Sequence, residues 1–581
     1  MSSLADFGEY ARDAAASWRC PGVAVSVIKE EELLHQSVHG WRDVEQRLPM
    51  TGDTRFPIAS ITKSFTAMSV ALLVDDGKLE WDKPVRDYIP EFILKDSYAT
   101  EHVTVRDMLA HRTGLPRHDL AAWRMDLPLA DFIARMRHLE FNLSFREHFQ
   151  YNNLMYYAIA YLVERLAGQP WEEFVYERIL APLGMEASNF APQPPRPEQV
   201  TAAGYRVDRD EEGGAEGLVR LPFGEHTRLS PGAAGTIFST LADLTQWLRV
   251  HVNEGRSGDH RLVSQENLKQ MHLPQIVMPG GGITEALLGN TICTYAMGWS
   301  VEPYRDHTLV HHSGGVEGHS LIVGFLPQER VGVVVLTNIG GLPVPQALLY
   351  EAIDRALGLG SQGWNARFHT TFDPLIAAEA EGKRTAAAER VADAPPTHPL
   401  EACVGFYEAD GYPDFAVELD GTDLKARTVG SLDWSELRHY HYNVFEWHIA
   451  AFDQWVKVSF QVSDSGEVDS VSVPMEPTVE NISFARKQPE LSEEILAALA
   501  GEYESPVAGL SFTVAIRDRR VFVAQSGQAP AEVKACKLTA SLVGFRMEGV
   551  RLDFVRDGEA ISRLVIKAPG MTLEAPRRQA R

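Results

Sequence analysis

The chain has 581 residues, of which 45% are hydrophobic and 23% charged, and its 79 acidic against 55 basic side chains give a formal charge of −24. This composition is typical of a folded protein with several domains. Because so acidic a surface repels phosphate backbones and anionic lipids, it argues against a nucleic-acid or membrane partner.

The cysteines and the amino terminus indicate a reducing compartment. Cys20, Cys293, Cys403 and Cys536 lie far apart with no CxxC pair, which argues against a disulfide framework and a structural zinc site. No metal and no cofactor are expected. The opening "MSSLADFGEYARDAAASW" has no apolar run of the signal-peptide kind, and no stretch reaches the ~18 apolar residues of a membrane span. The sequence therefore predicts a cytoplasmic protein.

The first 360 residues predict one α+β domain. A helix runs to about residue 18 and is followed by the strands "GVAVSVIKE" and "ELLHQSVHG", and the chain is then mostly helical from about 60 to 190. Three strands follow from about 308, and a helix covers about 345–357. Strands at both ends of a helical segment predict an antiparallel sheet assembled from both ends and flanked by helices.

The rest of the chain predicts a linker and two small antiparallel β-barrels. Residues 361–396 contain an Ala/Glu/Arg-rich helix that ends before the breaker "PPTHP". A weak repeat comes next, in which "LEACVGFYEADGYPDFAVELDGTDLKA" is echoed by "LAALAGEYESPVAGLSFTVAIRDRRVFV". Each unit has the size and strand rhythm of a small closed barrel, lipocalin-like for the first, which gives the domains 397–489 and 490–581.

One serine and one lysine lie three residues apart where an extended run gives way to a helix, in "FPIASITKSFTAM". Residues i and i+3 share a helix face, so the Lys63 amine can approach the Ser60 hydroxyl. A buried lysine has a lowered pKa and can accept a proton, which an activated serine nucleophile requires. The spacing recurs at Ser26 and Lys29, but in a predicted strand, where residues three apart point to opposite faces.

Two further stretches carry candidate chemistry. Tyr151 and Asn153 form the chain's only Tyr-x-Asn, in "FQYNNLMYY", and a tyrosine beside a lysine can move protons. In "VHHSGGVEGHS", His312 is followed by Gly314 and Gly315, where small residues let a substrate lie along a strand edge. Each stretch alone is more typical of packing, capping or a turn.

Together, Ser-x-x-Lys, Tyr-x-Asn and His-Ser-Gly resemble the serine β-lactamase and penicillin-binding-protein superfamily, whose S-x-x-K signature is well known. "MLAHRTGL", "ILAPLGM", "LSPGAAGTIFSTLADLTQWL", "YAMGW" and "GVVVLTN" resemble its β-lactamase-like CubicO group. The resemblance covers about residues 5–358. It implies that Ser60 is the acylated nucleophile, and that Lys63 is its base or the group that keeps Tyr151 deprotonated. Tyr151 then protonates the leaving group and activates the deacylating water.

The same resemblance assigns supporting roles. Asn153 holds the substrate amide, His312 with Gly314 orients the substrate and catalytic protons, and the backbone N–H groups of Ser60 and Gly315 form the oxyanion hole. Whether Lys63 or Tyr151 is the first base stays open at this stage, because a coupled pair titrates as a unit.

The substrate class is narrowed by position 312 and by the barrels. A lysine at 312 would bind the carboxylate of β-lactams or of D-Ala-D-Ala, whereas a histidine is mostly neutral near pH 7, so a β-lactamase or DD-peptidase is disfavoured. A catalytic domain followed by two barrels resembles the D-aminopeptidases of this superfamily, which release amino-terminal D-residues from peptides, amides and esters. In such relatives a barrel loop reaches the cleft, where an acidic side chain is expected to bind the substrate ammonium.

We therefore predict a serine hydrolase that acts on a small peptide, amide or ester, most like a D-aminopeptidase or amidase. A carboxylesterase acting on short acyl esters is the alternative. A binding or scaffold module without turnover is argued against by the three intact motifs. The barrels either cover the cleft or form the interface of a homo-oligomer.

Overall fold

The structure is a computed structural model. It describes residues 4–122, 127–191, 200–209, 215–221, 232–279, 283–388, 390–431, 434–449, 454–464, 466–488, 490–506, 509–539, 542–547, 550–558, 560–568 and 570–578. The expected domain boundary at 489/490 and both chain ends therefore lie at or beyond the edges of these ranges, and the structure describes the backbone of Cys536 but not its side chain. Cys20, Cys293 and Cys403 are buried free thiols.

The first 360 residues, here called the catalytic part after the prediction above, mix short strands with helices. Its described strands are β1 (Gly22–Lys29), β2 (Glu32–Asp43), β3 (Leu48–Pro49), β4 (Phe56–Pro57), β5 (Asn189–Phe190), β6 (Tyr205–Arg209), β7 (Ala215–Arg220), β8 (Ile237–Ser239), β9 (Arg256–Ser257), β10 (His260–Arg261), β11 (Ile276–Met278), β12 (Cys293–Tyr295), β13 (Ser300–Tyr304), β14 (His307–Val316), β15 (His319–Leu326) and β16 (Val331–Thr337). The described α-helices, including the one after this part, are α1 (Phe7–Ser17), α2 (Thr62–Asp75), α3 (Ser97–His102), α4 (Val105–Leu109), α5 (Leu129–Arg135), α6 (Leu154–Ala167), α7 (Trp171–Val175), α8 (Leu241–Val252), α9 (Gln265–His272), α10 (Ile283–Leu288), α11 (Val344–Ala356) and α12 (Trp364–Ala388).

One nine-stranded antiparallel sheet organises this part, in the order β11-β12-β13-β14-β15-β16-β1-β2-β3. Val23 of β1 lies opposite Thr337 of β16, so the first strands of the chain pair with the last strand of the domain. The predicted sheet assembled from both ends is therefore confirmed. Strands β11 to β13 extend it beyond the predicted strands; they are three to five residues long, too short to show a clear alternation.

Helices cover both faces of the sheet, and the sequence of β1 shows why. Val23, Val25 and Val27 pack with α1 and α11, whereas Ala24 and Ile28 belong to the core on the opposite face, which holds α2, α6 and α8. Because alternate residues of a strand point to opposite faces, a strand covered on both sides is apolar at nearly every position.

The predicted linker helix packs on the catalytic part. Trp364, at the start of α12, donates its Nε1–H to Asp354 Oδ2 at 2.9 Å, and the ring of His369 stacks on Trp18 at 3.7 Å between centroids. The helix begins earlier than its Ala/Glu/Arg-rich stretch, because these aromatic contacts with α1 and α11 stabilise its first turns.

Two small antiparallel barrels follow, as predicted, and each has eight strands. The first, here called barrel 1, is closed and consists of β17 (Gly405–Glu408), β18 (Phe415–Asp420), β19 (Asp423–Thr428), β20 (Ser435–His441), β21 (Val444–Ile449), β22 (Gln454–Val462), β23 (Val468–Val473) and β24 (Ile482–Arg486). After helix α13 (Glu493–Leu499), the second is nearly closed and consists of β25 (Gly501–Glu504), β26 (Ser511–Arg517), β27 (Arg520–Gln525), β28 (Ala531–Thr539), β29 (Leu542–Met547), β30 (Val550–Asp557), β31 (Ala560–Ala568) and β32 (Met571–Pro576).

The internal repeat has a structural basis. Gly405 and Gly501 have φ angles of +152° and +153°, which favour glycine, and each opens the first strand of its barrel. Two residues on, the Tyr407 hydroxyl donates to the Cys403 carbonyl and the Tyr503 hydroxyl to the Leu499 carbonyl, at 2.8 and 2.9 Å. The Gly-x-Tyr of both units thus anchors a first strand to the segment before it. None of the helices in the described ranges is long and apolar enough to cross a membrane.

Candidate active site

The candidate nucleophile lies in a strained turn. Ser60 belongs to a single 3-10 turn, Ala59–Ile61, between β4 and α2, and the Ile58 N–H donates to the Ile237 carbonyl of β8 at 2.9 Å. Ala59 has φ +48°, which is uncommon for a residue with a side chain and marks stored strain. Ser60 is the partly exposed residue in a run of buried ones, so the turn presents its hydroxyl outward.

Lys63 lies directly behind Ser60 and is completely buried. Its Nζ lies 3.1 Å from Ser60 Oγ and donates to the Ala234 carbonyl at 2.8 Å. Burial lowers the pKa of Lys63 well below its ordinary value, and the nearby Arg117 guanidinium lowers it further, against a smaller opposite effect of Asp119. A lysine in this setting holds its proton less tightly than an exposed one, which suits it to act as a base.

Tyr151 shares the same serine. Its ring lies 4.9 Å from Lys63 Nζ, and the Ser60 hydroxyl is near enough to affect the pKa of the phenol. Exclusion of water from the hydroxyl raises the pKa of Tyr151 above its ordinary value, while the nearby Ser60 hydroxyl and the Arg117 charge act more weakly in the opposite direction. Tyr151 is therefore a protonated phenol beside a lysine whose pKa is lowered.

Asn153 lies next to this pair, with its amide engaged by a neighbouring loop. Its Nδ2 donates to Asp119 Oδ1 at 2.9 Å, and Asp119 Oδ2 accepts from Arg117 Nε at 2.7 Å. Asn152 is a structural residue, because its Nδ2 donates to the carbonyls of Leu115 and Pro116. The Asn153 side-chain oxygen has no hydrogen-bond partner among the described residues, so it is available to a substrate N–H.

The edge of β14 forms the opposite wall. Strand β13 pairs with β14 only as far as His311, so the edge beyond that residue has no strand beside it in the described part of the sheet. Val316 and His319 flank a two-residue turn. Because the backbone groups of successive residues in an antiparallel ladder point to opposite sides, the N–H and C=O groups of residues 312, 314 and 316 point to β15. The N–H of Gly315 therefore points to the open edge, as the predicted oxyanion hole requires.

Gly314 lets this edge approach the nucleophile. A Cβ at position 314 would lie 2.3 Å from the Ile58 carbonyl oxygen, so only glycine fits against the turn that carries Ser60. A Cβ on Gly315, by contrast, would meet no atom within 4 Å among the described residues.

His312 is buried, and both of its ring nitrogens have protein partners. Nδ1 donates to the Ser313 carbonyl at 2.6 Å, which leaves Nε2 to accept from the Tyr295 hydroxyl at 2.9 Å. Burial and the nearby Lys63 lower the pKa of His312 to about 3, so the ring is neutral. To bind a substrate directly, His312 must first give up one of these hydrogen bonds.

Four residues of the site were not singled out in the sequence: His111, Arg117, Asp119 and Tyr295. His111 holds the backbone on both sides of Tyr151. Its carbonyl accepts a hydrogen bond from the Gln150 N–H at 2.8 Å, and its Nδ1 accepts one from the Asn152 N–H at 3.0 Å. The stretches "MLAHRTGL" and "YAMGW" contain His111 and Tyr295, but their spacing predicts no chemistry. Arg117 and Asp119 belong to a loop whose approach to Tyr151 is set only by tertiary packing.

This fold and site are those of a β-lactamase-fold serine hydrolase, and comparison with known proteins places the chain in that family. The model of the family described as Beta-lactamase matches residues 7–357, so the chain belongs to this family. Residues 389–486, which include barrel 1, match a domain of unknown function (DUF3471).

Three relatives illustrate the similarity. The chain is 26% identical over 447 residues to the unguisins hydrolase ungD of Aspergillus violaceofuscus, with 72% of this chain and 77% of that protein covered. It superposes with a TM-score of 0.54 and 25% identity on the octameric penicillin-binding protein homologue from Pyrococcus abyssi, covering 83% of this chain and 99% of that one. The fold is also that of EstCE1, a hydrolase with promiscuous acyltransferase activity, with a TM-score of 0.50 at 19% identity and coverage of 60% and 98%.

Proposed function

We propose that the protein hydrolyses amide or peptide bonds through an acyl-enzyme on Ser60, and that its substrates carry an amino-terminal D-residue. The mechanism rests on one observation: a side chain that can accept a proton and a side chain that can donate one both lie beside the Ser60 hydroxyl. Lys63 Nζ, an amine whose pKa is lowered by burial, lies 3.1 Å from Ser60 Oγ, and the ring of the protonated Tyr151 lies 4.9 Å from the same Nζ. A base and an acid thus meet at the nucleophile.

This arrangement favours Lys63 as the first base. The Ser60 proton passes to Lys63 Nζ as Oγ attacks the substrate carbonyl, and the N–H groups of Ser60 and Gly315 bind the oxyanion. Tyr151 gives its proton to the departing amine and recovers one from Lys63. A water molecule then enters the space left by the amine and attacks the acyl carbon. Its proton passes through Lys63 and Tyr151 to Ser60 Oγ, and the acyl group is released as the acid.

The proposed preference for an amino-terminal D-residue rests on the domain architecture, which resembles that of the D-aminopeptidases described above. The catalytic part is followed by two barrels, and barrel 1 reaches the loop beside the cleft: the Glu476 carboxylate accepts from the His118 N–H at 2.8 Å, next to Arg117 and Asp119. His312 is neutral, so position 312 does not supply a cation for the carboxylate of a β-lactam. The relative named as an unguisins hydrolase supports hydrolysis in general.

A carboxylesterase is the second candidate, and one observation favours it. Both oxygens of Asp119 accept hydrogen bonds from Asn153 and Arg117, and both oxygens of Glu476 accept from His118 and Thr478. These carboxylates beside the cleft are therefore already engaged within the described part of the protein. A short acyl ester, which has no ammonium, needs no such partner.

We also propose that the protein is a homo-oligomer, because the Pyrococcus abyssi homologue, described as octameric, covers 83% of this chain and therefore extends beyond the catalytic part. Light scattering after gel filtration tests this. A monomeric mass at micromolar concentration would contradict it.

A substrate panel tests the proposed function. The D-Ala and L-Ala p-nitroanilides, p-nitrophenyl acetate and nitrocefin are compared for the wild type, for Ser60→Ala, and for Ser97→Ala, an exposed serine at the start of α3, as the matched control. We expect the D-anilide to be preferred, and Ser60→Ala to lose the activity that Ser97→Ala retains. Equal D and L rates, or turnover of the ester alone, would refute the D-residue preference, and near-normal turnover by Ser60→Ala would refute the acyl-enzyme.

A further inference from the structure

One cation on the wall of the site is unexplained by the mechanism. In the buried run from Thr113 to His118, Arg117 is the exposed residue, with half of its side-chain surface open to solvent. Its guanidinium lies over the Tyr151 ring, 5.2 Å from the centroid. Nε is held by Asp119, but the two terminal nitrogens have no hydrogen-bond partner among the described residues. Arginine presents such donors as a rigid fork that matches a carboxylate.

Barrel 1 holds this guanidinium in place through the next residue. His118 has φ +43°, a strained conformation for a residue with a side chain, and is fully buried. Its N–H donates to Glu476 Oε2 at 2.8 Å, its Nδ1 accepts from the Tyr412 hydroxyl at 2.6 Å, and its Nε2 donates to the Glu140 carbonyl at 2.8 Å. Three hydrogen bonds thus fix the backbone between Arg117 and Asp119, and two of them come from barrel 1.

The position of the Arg117 guanidinium over the Tyr151 ring indicates which part of the substrate its terminal nitrogens would contact. Tyr151 gives its proton to the leaving group in the proposed mechanism, so a group over its ring lies on the leaving-group side of the scissile bond. On the opposite wall, His312 is neutral and has both nitrogens bonded, and it offers no competing charge. The nearby Asp119 and Glu476 carboxylates are bonded to Arg117 Nε, Asn153, His118 and Thr478, which leaves the terminal nitrogens as the outward-facing donors.

We propose that Arg117 is a specificity-determining residue that binds a carboxylate on the leaving group. The inference rests on the proposed function and narrows it: the preferred substrates release an amino acid, or a hydroxy acid in the ester case, whose own carboxylate is free. Converting that carboxylate to an amide removes the anion that the Arg117 guanidinium would bind.

Matched substrate pairs test the inference. The pairs are D-Ala-Gly and D-Ala-Gly amide, L-Ala-Gly and L-Ala-Gly amide, and acetoxyacetate and acetoxyacetamide, so that a peptidase of either stereochemistry and an esterase are all covered. The readout is the ratio of kcat/KM for the acid to that for the amide. Because both members of a pair use the same Ser60, Lys63 and Tyr151, an effect of position 117 on the Lys63 amine cancels in this ratio.

We expect a ratio of about 10 or more for the wild type, since a charge-assisted pair of hydrogen bonds is lost in the amide. Arg117→Gln should bring the ratio close to 1, and Arg117→Lys, which keeps a point charge without the fork, should give an intermediate value. Arg178→Gln, in a surface ion pair with Asp76, is the control and should keep the wild-type ratio.

A wild-type ratio at or below 1, or an unchanged ratio in Arg117→Gln, overturns the inference. If Ser60-dependent turnover is present without the carboxylate preference, the proposed function stands and the role of Arg117 is wrong. If no pair shows Ser60-dependent turnover, the proposed function fails and the inference fails with it.

Discussion

Gly314 is the position where the fit between the two walls of the site can be tested by a single methyl group. The Gly314→Ala substitution puts a Cβ 2.3 Å from the Ile58 carbonyl oxygen, 0.7 Å below the 3.0 Å that Cβ atoms keep from other atoms. Strand β14 cannot easily recede, because Gly314 is paired with Leu321 of β15. The strain therefore falls on the turn that carries Ser60.

A displacement approaching 1 Å between nucleophile and oxyanion hole should lower kcat/KM on the order of 100-fold. The overpacking should also destabilise the protein by about 1–3 kcal/mol, which thermal unfolding measures. Gly360→Ala is the control, because a Cβ there meets no atom within 4 Å among the described residues. Wild-type kcat/KM in Gly314→Ala would refute the close contact between β14 and the nucleophile turn.

Three further predictions concern the base, barrel 1 and pH. Lys63→Met keeps the bulk of the side chain but not the amine, and should lower kcat/KM by several orders of magnitude; turnover close to that of the wild type would contradict a lysine base. Tyr412→Phe removes the hydroxyl that donates to His118, and should raise KM for carboxylate-bearing substrates more than it lowers kcat; an unchanged KM would argue against positioning by barrel 1. Acid should destabilise the fold, because burial lowers the pKa of His272 and His312 to about 3, from 6.5 in an unfolded chain. Between these values the unfolded chain binds the additional protons, so the stabilisation is complete above pH 6.5 and each histidine contributes a loss of ~2 kcal/mol at pH 5. Equal urea midpoints at pH 7 and pH 5 would contradict this.

Much of the fold was predictable because its signals are local. The apolar strands β1, β15 and β16 and the Gly-x-Tyr repeat of the barrels depend on patterns that extend over a few residues, and both predictions are confirmed. The short strands β11 to β13 were not predicted, because three to five residues carry too little alternation and their pairing depends on neighbours in the sheet.

The candidate site divides in the same way. Ser60, Lys63 and Tyr151 form recognisable spacings, and the fold brings them together. Arg117 was not predicted, because its approach to Tyr151 depends on the strained His118 and on hydrogen bonds from barrel 1, about 290 residues or more away in sequence. Contacts between distant segments leave no periodic pattern in the sequence.

The acyl-enzyme on Ser60 is the central claim, and mass spectrometry tests it most directly. Tyr151→Phe, which lacks the hydroxyl that is proposed to relay the proton of the deacylating water, is mixed with p-nitrophenyl acetate, quenched in acid within seconds and digested. One acetyl group is expected on the peptide that contains Ser60, and none in the same variant carrying Ser60→Ala. Turnover without an acetylated Ser60, or an equal acetyl signal after Ser60 is removed, would contradict the mechanism.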